Sequence, residues 1–176
     1  MKKIDDGMIV DISGLKAGGK ILDMGFKGEG IIYRALKNTE DNPYVAADVS
    51  DESDDAEGWV YGYPPMLPFD DNSFDTVIAF FALSYIDKRS ERNRTIAQIS
   101  RILKHDGRLL LWDVDVKAFN LKFKKKLKLI LPQNEEAEID IRMPILWGGY
   151  NMNTILPALS SCFEINDSYD TGSFFY

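Results

Sequence analysis

Asp23 is followed by three glycines, Gly25, Gly28 and Gly30, and a second acid, Asp48, ends the short run Tyr44-Val45-Ala46-Ala47. Glycines at this spacing let a backbone turn tightly and approach a ligand closely before the helical pattern over Ile31–Lys37. The spacing is G-x-x-G-x-G, which differs from the dinucleotide fingerprint G-x-G-x-x-G. A carboxylate at the mouth of such a turn repels a pyrophosphate and suits a cationic ligand without phosphate. An acid at the end of the next strand can accept hydrogen bonds from both hydroxyls of a ribose. It can also be simply the first acid of the loop that follows. Phe80, Phe81 and Tyr85 add aromatic faces, which attract a cation or pack in a core.

These residues need strands and helices to position them. The turn Asp70-Asp71-Asn72-Ser73 leads into an apolar run over residues 76–83, the pattern of a central strand buried on both faces. A helix follows, with Asp87 or Ser90 able to cap it, Ile96, Ile99 and Leu103 at helical spacing, and Arg92, Arg94 and Arg101 on other faces. It is expected to stop at Asp106-Gly107, where glycine can turn left-handed, before the buried strand Leu109-Leu110-Leu111-Trp112. Strand, helix, strand is a parallel crossover, and ligands in such sheets sit beyond the carboxyl ends where strand order reverses.

The run LPFDDNSFDTVIAFFALSYIDKRSERNRTIAQISRILKHDGRLLLWDVD combines LPF, SFD, the helix end Arg101-Ile102-Leu103-Lys104 and Asp106-Gly107-Arg108 at fixed spacing. It closely resembles the second half of class I S-adenosylmethionine-dependent methyltransferases of the type 11 branch. Lys20-Ile21-Leu22-Asp23-Met24-Gly25 resembles the first strand and turn of the same family. The resemblance implies an α/β fold: a three-layer α/β/α sandwich around a mostly parallel, doubly wound sheet, Rossmann-like, closed by a C-terminal antiparallel strand pair. It also implies S-adenosylmethionine as cofactor, S-adenosylhomocysteine as product and a small-molecule acceptor. By the same likeness Asp23, Gly25, Gly28 and Gly30 hold the methionine end, Asp48 the ribose, and Val49 and Tyr63 the adenine, with Met24, Phe26 and Pro64 also in the cofactor-binding set. Phe80 joins the cofactor-binding set and, with Phe81 and Tyr85, the acceptor side.

Two departures from the family pattern stand in the sequence. The first motif usually reads Asp-x-Gly-x-Gly-x-Gly, whereas Asp23-Met24-Gly25-Phe26-Lys27-Gly28-Glu29-Gly30 holds one extra residue. Tyr63 occupies the place of an acid that meets the adenine amino group, four residues before Leu67. The alternative reading is therefore a methyltransferase-like binding or regulatory domain without turnover. A nicotinamide-dependent dehydrogenase fits poorly, given the glycine spacing. Methyl transfer mainly needs alignment, so no catalytic histidine is required; where a base is needed, Tyr85 and Asp113 are the candidates. His105 reads as a structural residue of its turn.

The 176 residues, 45% hydrophobic and 28% charged, suit one domain over 1–176. A net charge of -7 argues against general binding to nucleic acid. A single cysteine, Cys162, excludes an internal disulfide, and with His105 as the one histidine no thiolate and imidazole metal cluster can be built. With no apolar leader over Met1-Lys2-Lys3-Ile4-Asp5-Asp6-Gly7 and no run of membrane-spanning length, the expected address is cytoplasmic. Six carboxylates in the ten residues from Asp48 to Glu57 read as a solvated loop where the family places a full helix. Residues 116–146 read as a hairpin insertion. Phe123, Leu127, Leu129 and Leu131 alternate with Lys122, Lys124, Lys126 and Lys128, and beyond Pro132-Gln133-Asn134, Ile139, Ile141 and Met143 alternate with Glu136, Glu138 and Asp140. Lysines facing acids is the preferred pairing, and basic membrane contact the alternative. A short helix over residues 154–161, begun by Asn153 with Pro157 in its first turn, precedes two expected strands at residues 163–165 and 173–176.

Overall fold

The computed structural model describes residues 8–25, 30–37, 44–48, 59–61, 66–115, 123–143, 149–168 and 174–175. Strand β1 (Met8–Asp11) leads to β2 (Ile21–Gly25), helix α1 (Ile31–Lys37), β3 (Tyr44–Asp48) and β4 (Trp59–Tyr61). Then come β5 (Phe74–Phe80), a 3-10 turn (Leu83–Tyr85), α2 (Arg89–Ile102) and β6 (Leu103–Val114). The chain finishes with β7 (Phe123–Ile130), β8 (Glu136–Met143), α3 (Met152–Cys162) and β9 (Phe174–Phe175).

Six strands form the main sheet in the order β4-β3-β2-β5-β6-β9. All neighbours are parallel except β9, which runs antiparallel to β6 through Asp113↔Phe175 and Val114↔Phe174. Strand order reverses between β2 and β5, the switch point that defines a doubly wound sheet. Alternation along β2 and β5 divides the core. Leu22, Met24, Val77 and Ala79 share one buried cluster with Ile99, Ile102 and Leu103 from α2 and the start of β6. Ile21, Ile78 and Phe80 share the other with Ile32 and Leu36 of α1. Helices thus lie on both faces, as the near-continuous apolar character of β2 and β5 demands.

A second sheet, ordered β1-β7-β8, adds Val10, Leu127, Leu129, Ile139 and Ile141 to the α1-side cluster. Its β7-β8 pair sets Lys126 opposite Asp140 and Lys128 opposite Glu138, and Lys128 Nζ lies 2.8 Å from Glu136 Oε2. The hairpin turn is left-handed at both Gln133 and Asn134, which matches strand twist. Neither β1 nor β4 was expected from the sequence. β1 is a four-residue strand whose partner, β7, lies more than a hundred residues away, and pairing of that range leaves no local signal. The acidic segment after Asp48 lies outside the described residues.

Several local expectations are corrected. Neither Asp87 nor Ser90 caps α2; Lys88 is its N-cap, without a side-chain cap bond. Arg92 is buried instead of lying on an outer face, and folds back to donate to the carbonyls of Ile86 and Asp87 at 2.7 and 3.2 Å. That contact fixes the helix start. The helix ends at Ile102, where the amides of Asn72 and Ser73 donate to the Arg101 and Ile102 carbonyls at 3.0 and 2.8 Å. Those bonds supply partners for terminal carbonyls that a helix leaves orphaned. Gly107 is required for close approach, not for handedness: a Cβ there would stand 2.9 Å from Leu103 Cδ2 and 3.0 Å from the Lys104 carbonyl. The register jumps from Phe74↔Leu103 to Thr76↔Arg108, so residues 104–107 bulge within the strand.

β5 runs over Phe74–Phe80 and stops short of the expected residue 83. In α3 the cap is Asn151, not Asn153. Its side chain accepts from the Thr154 amide at 3.1 Å while Thr154 Oγ1 accepts from the Asn151 amide at 3.1 Å, a reciprocal capping box. Starting at Met152, the helix carries Pro157 in its second turn, where Pro157 is exposed. Of the two C-terminal strands expected, only β9 forms; residues 163–165 are not a strand. Among the described residues no helix is long and apolar enough to cross a membrane.

Candidate functional site at the carboxyl ends of the parallel strands

β2, at the centre of the main sheet, lies against β3 on one side and β5 on the other. The register pairs Gly25 with Asp48, and Met24 with Ala79, so that Gly25 is level with Phe80; Phe80 in turn pairs with Trp112. Asp48, Gly25, Phe80 and Trp112 therefore form one row across four strand ends. Neighbouring strands are spaced about 4.8 Å apart, so the row from Asp48 to Phe80 spans roughly 10 Å.

Asp23 lies two residues inside the end of β2 and is 2% exposed. Its Oδ2 accepts the Tyr33 amide at 2.8 Å, which ties the carboxylate to the first turn of α1. A Cβ on Gly25 would stand 3.6 and 3.8 Å from the Asp23 oxygens and 3.7 Å from the Gly30 amide nitrogen. Glycine keeps that notch between strand and turn open. Gly30 enters α1 with φ +50, a conformation that disfavours a side chain. Met24 is fully buried on the opposite face, among Leu22 and Val77, so it packs in the core and does not line the notch. Phe26, Gly28, Val49, Tyr63 and Pro64 lie outside the described residues, as does the side chain of Asp48.

On the other side of the switch point, Phe80 is 2% exposed and packs edge-on against Phe81, with centroids 4.6 Å apart. Phe81 has φ +52 although it is not glycine, and its amide donates to the Trp112 carbonyl at 2.7 Å. Holding an aromatic residue there costs on the order of 1–3 kcal/mol, and strain of this kind collects at binding and catalytic sites. Nothing in the sequence marks it. Tyr85 ends the following 3-10 turn, partly exposed.

Asp113, the other candidate base, is fully buried at the end of β6. Its Oδ2 accepts the Ser84 amide at 3.0 Å and the Tyr150 hydroxyl at 2.9 Å, and its Oδ1 accepts the Val114 amide at 2.9 Å. The Ser84 hydroxyl is buried beside it and helps to hold the carboxyl down, although among the described residues no partner meets it at full hydrogen-bonding geometry. Burial pushes the Asp113 carboxyl up to about 6, against the opposing pull of its donors. Tyr150 is held well above its ordinary value by its own burial and by Asp113, so it remains a donor. The Arg92 guanidinium lies 5.0 Å above the Tyr150 ring, its own value lowered by burial. Arg92, Ser84 and Tyr150 escaped the sequence reading, and the one available signal was an acid inside the apolar run Leu109-Leu110-Leu111-Trp112-Asp113-Val114. Among the described residues no group of three or more His, Cys, Asp and Glu side chains is placed to hold a metal ion.

Comparison with known proteins bears on the fold and the family. No curated protein sequence matches the chain. Among solved structures, the PH0226 protein from Pyrococcus horikoshii OT3 superposes with a TM-score of 0.60 at 17% identity, over 89% of this chain and 78% of that one. An S-adenosylmethionine-dependent methyltransferase from Methanosarcina mazei gives 0.54 at 18% identity, over 89% of each chain. Another from Mesorhizobium loti gives 0.55 at 16%, over 85% of this chain and 76% of that one. These likenesses show the Rossmann-like fold of such enzymes. The sequence model described as a methyltransferase domain, type 11, matches residues 22–111, from β2 through most of β6. The chain belongs to this methyltransferase family, whose cofactor is S-adenosylmethionine.

Proposed function

We propose that the protein transfers a methyl group from S-adenosylmethionine to a small-molecule acceptor across the β2/β5 switch point. The row Asp48, Gly25, Phe80 and Trp112 supports this reading most directly, because it sets an acid, an open notch and an aromatic wall at successive strand ends. S-adenosylmethionine, when bound, supplies an activated methyl group and carries positive charge without phosphate. The described residues fit such a group. Asp23 sets a carboxylate beside Gly25, Gly25 leaves space, and the Gly30 amide nitrogen borders the same notch.

The methionine end is received at Asp23, Gly25 and Gly30, together with Phe26 and Gly28. Asp48 accepts the ribose hydroxyls, and Val49, Tyr63 and Pro64 border the adenine. The aromatic residues 80–85 exclude water and orient the acceptor against the sulfonium, which their faces attract. Tyr85 is the candidate to take a proton from the acceptor. Asp113 is too deeply buried for that role. A cytoplasmic setting and an acceptor other than nucleic acid belong to the same reading.

Calorimetric titration tests it. Wild type is expected to bind S-adenosylmethionine, with affinity falling at least about tenfold in Asp48→Ala, since a ribose contact to a carboxylate is worth ~1.5–3 kcal/mol. Absence of binding at millimolar ligand would sink the enzyme reading. The second reading, a binding domain without turnover, rests on Tyr63 in place of an acid and on the lengthened glycine turn. Binding without product from a panel of acceptors would favour it.

A further inference from the structure

We propose that Asp113 is a positioning residue for the acceptor side of the cleft, holding the turn after β5 through the Ser84 amide. This rests on the reading of residues 80–85 given above. The turn is strained at its first residue, Phe81, so it requires restraint from its surroundings. That restraint comes from several elements. β6 provides the Trp112 carbonyl for the Phe81 amide and the Asp113 carboxylate for the Ser84 amide. α2 sends Arg92 back to the carbonyls of Ile86 and Asp87, at the end of the same turn. Tyr150, just before α3, closes the network by donating to Asp113 while its ring lies under Arg92 and 5.8 Å from Phe175.

An ionised carboxylate suits this place because it only accepts, and donors converge on both oxygens. An amide cannot substitute. In Asp113→Asn one of the two positions would carry an NH2 group, facing either the Val114 amide or the Ser84 amide and Tyr150 hydroxyl. The charged and titratable groups around Asp113 are Tyr150 and Arg92, with Asp87 and Arg89 acting on Arg92 in turn; β9 contributes the apolar Phe175. Tyr85, the partly exposed aromatic of the turn, follows Ser84 directly, so releasing the Ser84 amide displaces one of the aromatic faces that this reading sets against the sulfonium.

The test compares S-adenosylmethionine with S-adenosylhomocysteine, which lacks the methyl group and the sulfonium charge. Both are titrated by calorimetry into wild type, Asp113→Asn and Tyr150→Phe, with Ile102→Val, at the end of α2 in the other core cluster, as a buried control. A purely structural role weakens both ligands alike. The positioning role predicts that the ratio of the two affinities shifts at least about threefold, through loss of S-adenosylmethionine affinity, the scale of one cation-aromatic contact. The control keeps the wild-type ratio. An unchanged ratio in both network variants overturns the proposal and leaves the functional reading standing. If Asp113→Asn does not fold, Tyr150→Phe, which removes a single hydrogen bond, decides alone. Failure of wild type to bind either ligand overturns the functional reading, and this proposal with it.

Discussion

Two carboxylates at opposite ends of the parallel sheet behave in opposite ways. At the amino end, Asp75 of β5 accepts the Lys20 amide at 2.8 Å and the Lys104 ammonium at 2.7 Å, and these partners hold its carboxyl below the ordinary range. At the carboxyl end, Asp113 of β6 is sealed from water and its carboxyl is pushed up to about 6. The amino end also holds Arg101, which donates to the carbonyls of Leu67 and Phe69 and to Asp71, while Lys20 lies over the Phe74 ring. Strain and buried charge gather instead around Phe81, Ser84 and Asp113. One end is arranged to close the fold, and the other retains costly features where a ligand is expected.

The comparison can be broken most severely at the amino end. Gly19 has φ +74, and a Cβ there would stand 2.6 Å from the Asp75 Cβ. Gly19→Ala combines a left-handed penalty with displacement of Asp75 from both its partners, and should lose about 3 kcal/mol or more in urea unfolding. A loss under about 1 kcal/mol would show that the clip is dispensable.

Asp113 predicts a pH dependence of opposite sign to that of Asp75. The folded protein holds the Asp113 proton more tightly than the unfolded chain, whose value is 3.8, so this contribution is complete below the unfolded value and lost as pH rises through about 6. Stability should therefore fall by about 3 kcal/mol between roughly pH 4 and 7, and Asp113→Asn should flatten that slope. Asp75 and Asp11, both lowered, contribute stability above the unfolded value that is lost only as pH falls below it, so they leave the window between 4 and 6 to Asp113. A rising stability across that window would contradict the assignment.

Arg101→Ala removes the clamp on residues 67–71 and should cost about 2 kcal/mol, read as a shift in the urea midpoint with an unchanged slope. Smallest is Lys104→Ala, where a pair exposed on both sides contributes no more than about 0.5 kcal/mol and less in high salt. An effect larger than that of Arg101→Ala would reverse the ranking at this end of the sheet.

Patterns confined to neighbouring residues were legible. The apolar runs at β2, β5 and β6 mark strands inside the sheet, while the helix over Ile31–Lys37 and the β7-β8 pair follow from periods of 3.6 and two. Helix ends were less so: Arg92 folds back to carbonyls just before α2, and Asn72 and Ser73, some thirty residues away in sequence, meet its last carbonyls, which no cap residue announces. Asp23 was visible as an acid before glycines, but its burial and its bond to the Tyr33 amide depend on α1 packing back against the strand. The left-handed Phe81 and the Tyr150 contact to Asp113 arise from packing among elements far apart in sequence. Spacing therefore located the notch, and tertiary contacts determine how its far wall is held.

The central claim is that the carboxyl ends of β2 and β3 receive an adenosyl sulfonium. A crystal structure with S-adenosylhomocysteine tests it in one step. The account predicts ribose density against the end of β3 at Asp48, the amino-acid end at the Gly25 notch and the sulfur facing Phe80. Ligand density elsewhere, or a notch filled by the protein's own side chains at saturating ligand, would contradict it.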